Sequence, residues 1–278
     1  MPELPEVETV RCALIPHLTN QVIKAIKVRQ PNLRRKVKPQ LLEQELGGQT
    51  IIAVRRRGKF LVIETDNQRA LVIHLGMTGA LRIEANYSAE PHKHDHVIWE
   101  LSSGYSLVFN DARRFGMVSV EKLGEPGGNP PSLAPLGPEP LGDTFSPEYA
   151  CDKAQNRTQP VKNLLLDQHF VAGIGNIYAS EALWRAGISP RRQARNISRK
   201  RWGKLVTAVK EVLADAIAAG GTTIRDYRTV DGSEGRFTAC LDVYNRNGDA
   251  CQRCGDSQQI DRIVMAGRAT YYCPGCQK

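Results

Sequence analysis

Gly124-Glu-Pro-Gly-Gly-Asn-Pro-Pro-Ser-Leu-Ala-Pro-Leu-Gly-Pro-Glu-Pro140 carries ten glycines and prolines in seventeen residues, which breaks helical and strand periodicity alike and reads as a linker. The pattern differs on its two sides. Strand signals dominate before it and helical signals after it, and a chain of 278 residues is above the usual single-domain size. The expectation is an α+β protein of two main domains, with room for a small extra module.

On the N-terminal side, Pro5 occupies a plausible first helical position. Val7, Val10 and Leu14 share one face, and the helix is expected to end between Pro16 and Leu18. Pro2 and Glu3 are left at its N-terminal mouth. Strand patterns follow at Gln21 to Gln30, Thr50 to Arg57, Phe60 to Thr65, Ala70 to His74 and Ala80 to Glu84. Val97 to Leu101 and Tyr105 to Phe109 then form a hairpin around Ser102, Ser103 and Gly104. A short helix, Pro39 to Leu46, is stopped by Gly47 and Gly48. Strands at this spacing suggest a β-sandwich with helices at its edge.

Beyond the linker, Val161 to Gln168 is apolar and helix-like, and Asn176 can cap a helix that runs to Arg185. The clearest helix spans Ser198 to Gly220, with Trp202, Leu205, Val206, Val209, Val212, Leu213 and Ile217 on one stripe. The chain then closes on Cys251-x2-Cys254-x18-Cys273-x2-Cys276. Paired CxxC knuckles at this spacing converge tetrahedrally on one Zn²⁺, closed and structural, with no open position for chemistry. Between them Arg262 to Tyr272 reads as a β-hairpin turning near Ala266 and Gly267. It is too short to hold a core, so the metal supplies its folding energy. Arg268 then stands at the tip, a candidate reader rather than a metal residue.

The formal net charge of +9 argues for a polyanionic partner. Thr9 to Leu42 contains eight Lys and Arg and no acid, and Arg185 to Lys204 contains eight more with none. Either run alone reads equally well as a solvated face, but two on one chain favour nucleic acid. No signal-like opening and no apolar run of membrane length is present, so a soluble intracellular protein is expected. Seven cysteines, three of them scattered at Cys12, Cys151 and Cys240, make a poor disulfide framework. His92, His94 and His96 alternate, and beside an existing zinc site that spacing disfavours a second metal.

Several ordered segments carry a resemblance. Met1-Pro-Glu-Leu-Pro-Glu-Val-Glu-Thr-Val10 opens the chain. It is followed by His74-Leu-Gly-Met-Thr-Gly79, Lys93-His-Asp-His-Val97, Asp111-Ala-Arg-Arg-Phe-Gly116, Leu136-Gly-Pro-Glu-Pro-Leu141, Gly173-Ile-Gly-Asn-Ile-Tyr-Ala-Ser-Glu181 and Gly220-Gly-Thr-Thr223. Together they resemble the formamidopyrimidine-DNA glycosylases from Met1 to Lys278. The resemblance implies an N-terminal β-sandwich with a catalytic helix (residues 1–134), a linker and helix–two-turns–helix domain (135–236) and a C-terminal zinc finger (237–278). DNA would lie at the linker hinge. It also implies a bacterial, cytoplasmic, nucleoid-associated monomer acting on double-stranded DNA that contains oxidised purines, with one structural Zn²⁺ and no membrane partner.

The chemistry follows from the residue types. With Met1 removed, as expected before a small residue, Pro2 presents a secondary amine. An α-amino group titrates near pH 8, so a useful neutral fraction exists, and a positive surround increases it. Attack at the sugar C1′ releases the base and leaves an iminium ion. Proline nitrogen has no second proton to lose, so the iminium stays cationic and drives elimination of the 3′ and then the 5′ phosphate. Glu3 beside the amine is the natural general acid for the ring oxygen, and Glu6, one turn on, is a supporting residue. From spacing alone both read more readily as carboxylates complementing the helix dipole, and the family pattern reverses that. Glu8 has no such match and reads as surface.

The resemblance assigns the remaining roles. Lys59 is a proton donor and a contact to the damaged nucleotide, whereas Arg55 to Arg57 read as exposed strand-edge cations. His74, Asn176, Lys162 and Arg268 bind the DNA backbone, and Arg268 also donates a proton for δ-elimination. Met77, Arg113 and Phe115 fill the gap left by an everted base, although by pattern alone Met77 and Phe115 read equally as core and Arg113 as a surface charge. Thr222, Thr223, Arg225 and Tyr227 belong to a loop over that base. Leu4 favours the purine-specific branch over an endonuclease VIII-like enzyme for oxidised pyrimidines, whose members commonly begin Pro-Glu-Gly-Pro-Glu. Outside the enzyme class, the alternative is a zinc-stabilised DNA-binding protein with an inert terminus.

Overall fold

A computed structural model describes residues 1–85, 87, 92–222 and 241–278. They fall into two compact units: residues 1–135 with 220–222, and residues 136–219 with 241–278.

In the first unit, α1 (Leu4–Leu18) buries Leu4, Val7, Val10, Leu14 and Leu18, spaced three or four apart on one stripe. Among the described residues, eight strands follow in two four-stranded antiparallel sheets. One has the order β1 (Ile23–Val28), β6 (Asp95–Leu101), β7 (Tyr105–Asp111), β5 (Gly79–Ala85). The other has the order β2 (Ile51–Arg57), β3 (Phe60–Thr65), β4 (Arg69–His74), β8 (Met117–Lys122). The core beneath joins α1 and α2 (Pro39–Leu46) to inward residues of both sheets, including Leu61, Ile63, Leu71, Ile73, Trp99 and Phe109. This is the expected sandwich with edge helices, and α2 has the bounds read from the sequence. Strand β8 was not expected. Its alternation is short, with only Val118 and Val120 turned to the core, and its place is set by pairing along the whole of β4, from His74 opposite Met117 to Arg69 opposite Lys122.

In the second unit, α5 (Asn176–Arg185) is buried from Ile177 through Trp184 and serves as the axis of the unit. Against it pack α4 (Val161–Leu166) and α6 (Arg199–Ala218), and α3 (Pro147–Ala154) packs against α6. Ser198 caps α6, its hydroxyl accepting from the Arg201 N–H. The unexpected helix, α3, is started in the same way by Ser146, which accepts from the Tyr149 N–H at 3.1 Å ahead of Pro147. Asn176 proves to be the first residue inside α5, with Gly175 in the cap position. The zinc module packs Val243, Ile260, Tyr271 and Cys273 against Trp184. Its short strands β9 (Ala250–Cys251) and β10 (Gly255–Gln259) pair with each other. Its hairpin, β11 (Asp261–Met265) and β12 (Arg268–Tyr272), turns through Ala266 and Gly267, both at positive φ, where the sequence placed the turn. Among the described residues, no helix is long and apolar enough to cross a membrane.

Candidate active site and DNA-contact residues

The N-terminus of α1 concentrates the reactive groups of the first unit. Pro2 is buried, and Glu3 is only 3% exposed at the helix cap. The Glu3 N–H donates to Glu6 Oε2 at 2.8 Å, half of the reciprocal capping box that a carboxylate three residues into a helix can form. The other Glu6 oxygen, Oε1, accepts from both the N–H and the hydroxyl of Thr222, each at 2.9 Å. Gly221 stands at φ +83° against the same carboxylate, where an added Cβ would meet Oε1 at 3.2 Å. Glu6 is fully buried, so it is a structural pivot that holds the N-terminus of α1 and the beginning of the 220–222 segment in one register. Thr222 is itself buried by this contact. Thr223, Arg225 and Tyr227 lie outside the described residues.

Lys59 and Gly58 form the two-residue turn between β2 and β3, with Gly58 at φ +56°. Lys59 is buried rather than splayed along the strand edge. Its charge, with that of Arg34, reaches His74 at the end of β4. Burial first, and then those two cations, bring the His74 pKa down from 6.5 to about 4, so the ring is neutral at physiological pH. The Gly76 N–H donates to His74 Nδ1 at 3.0 Å, which assigns the ring proton to Nε2 and makes that nitrogen a neutral donor. Phe60 holds the ring at 4.7 Å between centroids. Beside His74 a cavity of about 240 Å³ opens, lined also by Arg34, Arg35, Phe60 and Met117. Arg34 and Arg35 belong to the first basic run, which was the sequence signal for them, but that signal did not single out these two members.

Met77 and Phe115 are 39% and 45% exposed, unusual for large apolar side chains, and Arg113 lies 4.8 Å over the Phe115 ring. Their loops are locked together by Asp111, which is fully buried. Asp111 accepts from the Thr78 hydroxyl at 2.5 Å, from the Arg113 N–H at 3.3 Å and from the Gly116 N–H at 2.7 Å. Gly76 turns at φ +67° with its Cα against the Phe115 backbone, where a Cβ would come within 2.5 Å of the carbonyl carbon. The apolar pair is therefore presented on stiff loops. Asp111 opens one of the family-like segments, but nothing in its spacing revealed this bracing role.

Other cations of this unit are engaged in ordinary packing. Glu8, read as surface, is half-buried and pairs with Arg11 at 2.6 Å and Arg56 at 2.8 Å. Burial raises the Glu8 pKa, and the two guanidinium groups overcome this to hold it below the ordinary carboxylate value. Arg55 pairs with the buried Glu64. The Asp111 carbonyl oxygen lies 2.7 Å from His96 Nε2.

In the second unit, Asn176 starts α5 and donates through Nδ2 to the Ala269 carbonyl at 2.8 Å, placing the helix mouth next to Arg268, which is exposed at the hairpin tip. Lys162 is 1% exposed, so it does not reach the surface as a DNA contact would. Its ammonium donates to Asn176 Oδ1 at 2.7 Å and Thr270 Oγ1 at 2.7 Å, fastening α4, α5 and β12 together under that surface. Glu181, at the end of another family-like segment, is buried too and accepts the N–H groups of Asp242, Val243 and Tyr244 at 2.7 to 3.0 Å. It fixes the entry to the zinc module, a role no local pattern announced.

The four cysteine sulfurs lie within 4.8 Å of one another, with Cys251–Cys276 at 3.9 Å and Cys254–Cys273 at 3.8 Å. A tetrahedron of Zn–S bonds near 2.3 Å has sulfur–sulfur edges of ~3.8 Å, so the thiolates fit one structural Zn²⁺.

Comparison with known proteins agrees along the chain. Residues 1–118 match the formamidopyrimidine-DNA glycosylase N-terminal domain, residues 136–228 the H2TH domain of the same enzymes, and residues 248–278 the zinc finger found in FPG and IleRS. The chain is 46% identical to a formamidopyrimidine-DNA glycosylase of Paracoccus denitrificans and 47% identical to one of Xanthomonas campestris, with all of both chains covered in each case. Among solved structures it is similar to MutM (Fpg) of Thermus thermophilus, with a TM-score of 0.86 and 41% identity over 99% of this chain and 98% of that one. A Lactococcus lactis Fpg bound to DNA containing an abasic site gives a TM-score of 0.89 at 35% identity, covering 99% of each chain. A mutant of that protein bound to Fapy-dG DNA gives 0.90 at 35%, covering all of both chains.

Proposed function

The chain belongs to the formamidopyrimidine-DNA glycosylase family, and from that premise we propose that it excises oxidised purines from duplex DNA and then cuts the strand at the abasic site. The observation that carries the proposal is the buried pair at the N-terminus of α1, Pro2 followed by the capping carboxylate of Glu3.

With Met1 removed, the Pro2 nitrogen attacks C1′ of the damaged nucleoside. The C1′–N bond breaks and its electron pair leaves with the base, which takes up the proton lost by the amine; the C1′–O4′ bond then breaks as Glu3 protonates the ring oxygen, and the nitrogen lone pair forms the C=N⁺ bond. The resulting iminium accepts the electrons released when a C2′ proton is lost, which expels the 3′ phosphate. A second elimination expels the 5′ phosphate. Lys59 contacts the damaged nucleotide. Glu6 acts through position: its carboxylate is occupied by Glu3 and Thr222, so it fixes the acid and the loop rather than exchanging protons.

Grip on the DNA is shared. His74 offers Nε2–H to a phosphate, and the α5 mouth at Asn176 with Arg268 offers a second anion site. Lys162 serves that site through Asn176. Met77, Phe115 and Arg113 occupy the space of the everted base. Residues 1–134 thus carry the chemistry, and residues 135–236 and 237–278 supply phosphate contacts and the zinc-held hairpin. Given a genomic substrate and bacterial relatives, the place of work is the cytoplasmic nucleoid.

Borohydride trapping tests the reading. Processed protein should cross-link to 8-oxoguanine duplex through Pro2, and it should excise 8-oxoguanine opposite cytosine faster than thymine glycol. Preference for thymine glycol would assign the chain to the pyrimidine branch. Absence of any trapped complex would leave a DNA-binding protein only.

A further inference from the structure

The second acid-free basic run, Arg185 to Lys204, has no part in the chemistry above. Part of it converges on one place. The end of α5, the turn at Ala186 and Gly187, the first half of α6 and Arg253 of the zinc module line a cavity of about 920 Å³. Its charged residues are Arg185, Lys200, Arg201, Lys204, Arg253 and Glu211. Asn176 stands at the opposite end of α5, nine residues and therefore about 14 Å along the axis from Arg185.

Two of the guanidinium groups are held by main-chain oxygens. Arg253 donates to the Trp184 and Arg185 carbonyls at 3.0 and 3.3 Å and lies 4.3 Å over the Trp184 ring. Arg201 donates to the Gly187 carbonyl at 3.0 Å and to the main-chain oxygen of Lys278 at 2.5 Å. These bonds close the C-terminal end of α5 and fix both groups in place, and those of Arg253 do so without cancelling its charge. Arg185 is different, being paired with Asp215 at 2.7 Å. Lys200 and Lys204, one turn apart on α6, are exposed and have no ion-pair partner among the described residues. The helix cap and the fixed arginines account for themselves structurally, whereas the two lysines do not.

We propose that this cavity is a second binding site for the phosphodiester backbone of duplex DNA, separate from the lesion site, with Lys200 and Lys204 as its contacts and Arg253 as a fixed positive background. The uncharged lining is Ala186, Gly187, Gly203, Thr207 and Ala208. Small residues let a backbone approach closely but offer no apolar anchor of the kind that holds a peptide. Binding of this type is independent of sequence and needs only charge, so it serves retention on undamaged DNA.

The test uses the full-length, zinc-loaded protein with Lys200→Ala and Lys204→Ala combined. Both positions are exposed, so the fold should be retained, and an unchanged Tm checks it. On long undamaged duplex, the slope of log K against log salt should fall in magnitude by ~1.8, at about 0.9 for each phosphate that is no longer neutralised. Single-turnover excision from a short duplex that covers only the lesion footprint should be unchanged. A change confined to long duplex identifies a flanking stretch of the same molecule as the ligand. Two short duplexes bound per wild-type protein and one per variant identify a second molecule. The proposal is overturned by an unaltered slope together with unaltered stoichiometry, or by slowed excision on the short duplex, which would put the lysines in the lesion site. It is equally overturned if polyglutamate binds the wild type and not the variant while DNA binding stays the same. Undamaged DNA requires no catalysis, so failure here is distinct from failure of the glycosylase reading.

Discussion

Replacing His74 with Gln removes a titration whose size follows from the site. Burial and the neighbouring Lys59 and Arg34 charges hold the ring at about 4, against an ordinary value of 6.5. The depressed value belongs to the folded state, so the unfolded chain takes up the proton first as pH falls. The neutral ring therefore contributes stability that is fully present above about pH 6.5 and is lost as pH drops toward about 4. Integrated from about pH 7 to about pH 4, that loss is on the order of 3 kcal/mol. Urea unfolding of wild type and His74→Gln across this range isolates it, since groups distant from the substitution cancel in the difference. The wild-type advantage should shrink by roughly 3 kcal/mol on acidification. NMR of the ring gives the midpoint directly, and a short duplex carrying a phosphate onto Nε2 should move it upward. A ring that titrates near its ordinary value, or a stability difference that is flat with pH, refutes the assignment of a neutral Nε2–H donor.

Glu6→Gln puts an amide where one oxygen serves Glu3 and the other serves Thr222, so one N–H donor faces another; a loss of roughly 2 kcal/mol in stability and a slower trapping rate are expected, by denaturation and borohydride assay. Gly76→Ala forces a Cβ into the Phe115 backbone at a left-handed φ, and should cost about 2–4 kcal/mol and weaken binding to lesion duplex more than to an already abasic one. Lys162→Met and Asn176→Ala should couple by roughly 1–3 kcal/mol in a double-mutant cycle of duplex affinity, and additivity would remove the positioning role given to Lys162. Chelation of zinc, or Cys254→Ser, should release the 261–272 hairpin to hydrogen exchange and abolish tight DNA binding, while the 1–135 unit keeps its protection.

How much of this could be read beforehand depends on whether the determinant is local. Helix α2 was legible to the residue because Pro39 starts it and Gly47 and Gly48 stop it within one short window. The zinc ligands were legible because metal geometry imposes spacing on the chain. Strand β8 was not, since its order comes from pairing with β4 rather than from its own alternation. Helix α3 had a Ser146-Pro147 start in plain view, but its few apolar residues gave no stripe to follow. Among site residues, Pro2, Glu3 and Lys59 came from motif order. The pairings made by Glu6 and Lys162 were invisible: Thr222 is 216 positions from Glu6, and the Thr270 hydroxyl is 108 from Lys162. No pattern over one window encodes such pairs.

Those distant pairs share a physical logic. In the proposed reading, each residue given to the DNA or to the chemistry stands on a buried charged or polar group with no DNA contact of its own. Asp111 braces Met77, Arg113 and Phe115, Lys162 braces Asn176 and the hairpin strand, and Glu6 braces Glu3 and the 220–222 segment. Burying a charge costs several kcal/mol unless its hydrogen bonds are filled, so such a group tolerates few geometries. The same intolerance makes it a good brace, because displacing the reader would strand the buried partner. Apolar contacts could stabilise these loops equally well, but they would allow sliding. An enzyme that must recognise a base only after everting it gains from readers that are already in place, since ordering them at the moment of binding would subtract from an affinity already reduced by lost stacking. On that argument, removing a brace should slow excision more than removing the reader it holds, because without the brace the reader is misplaced and a buried group is left unsatisfied as well.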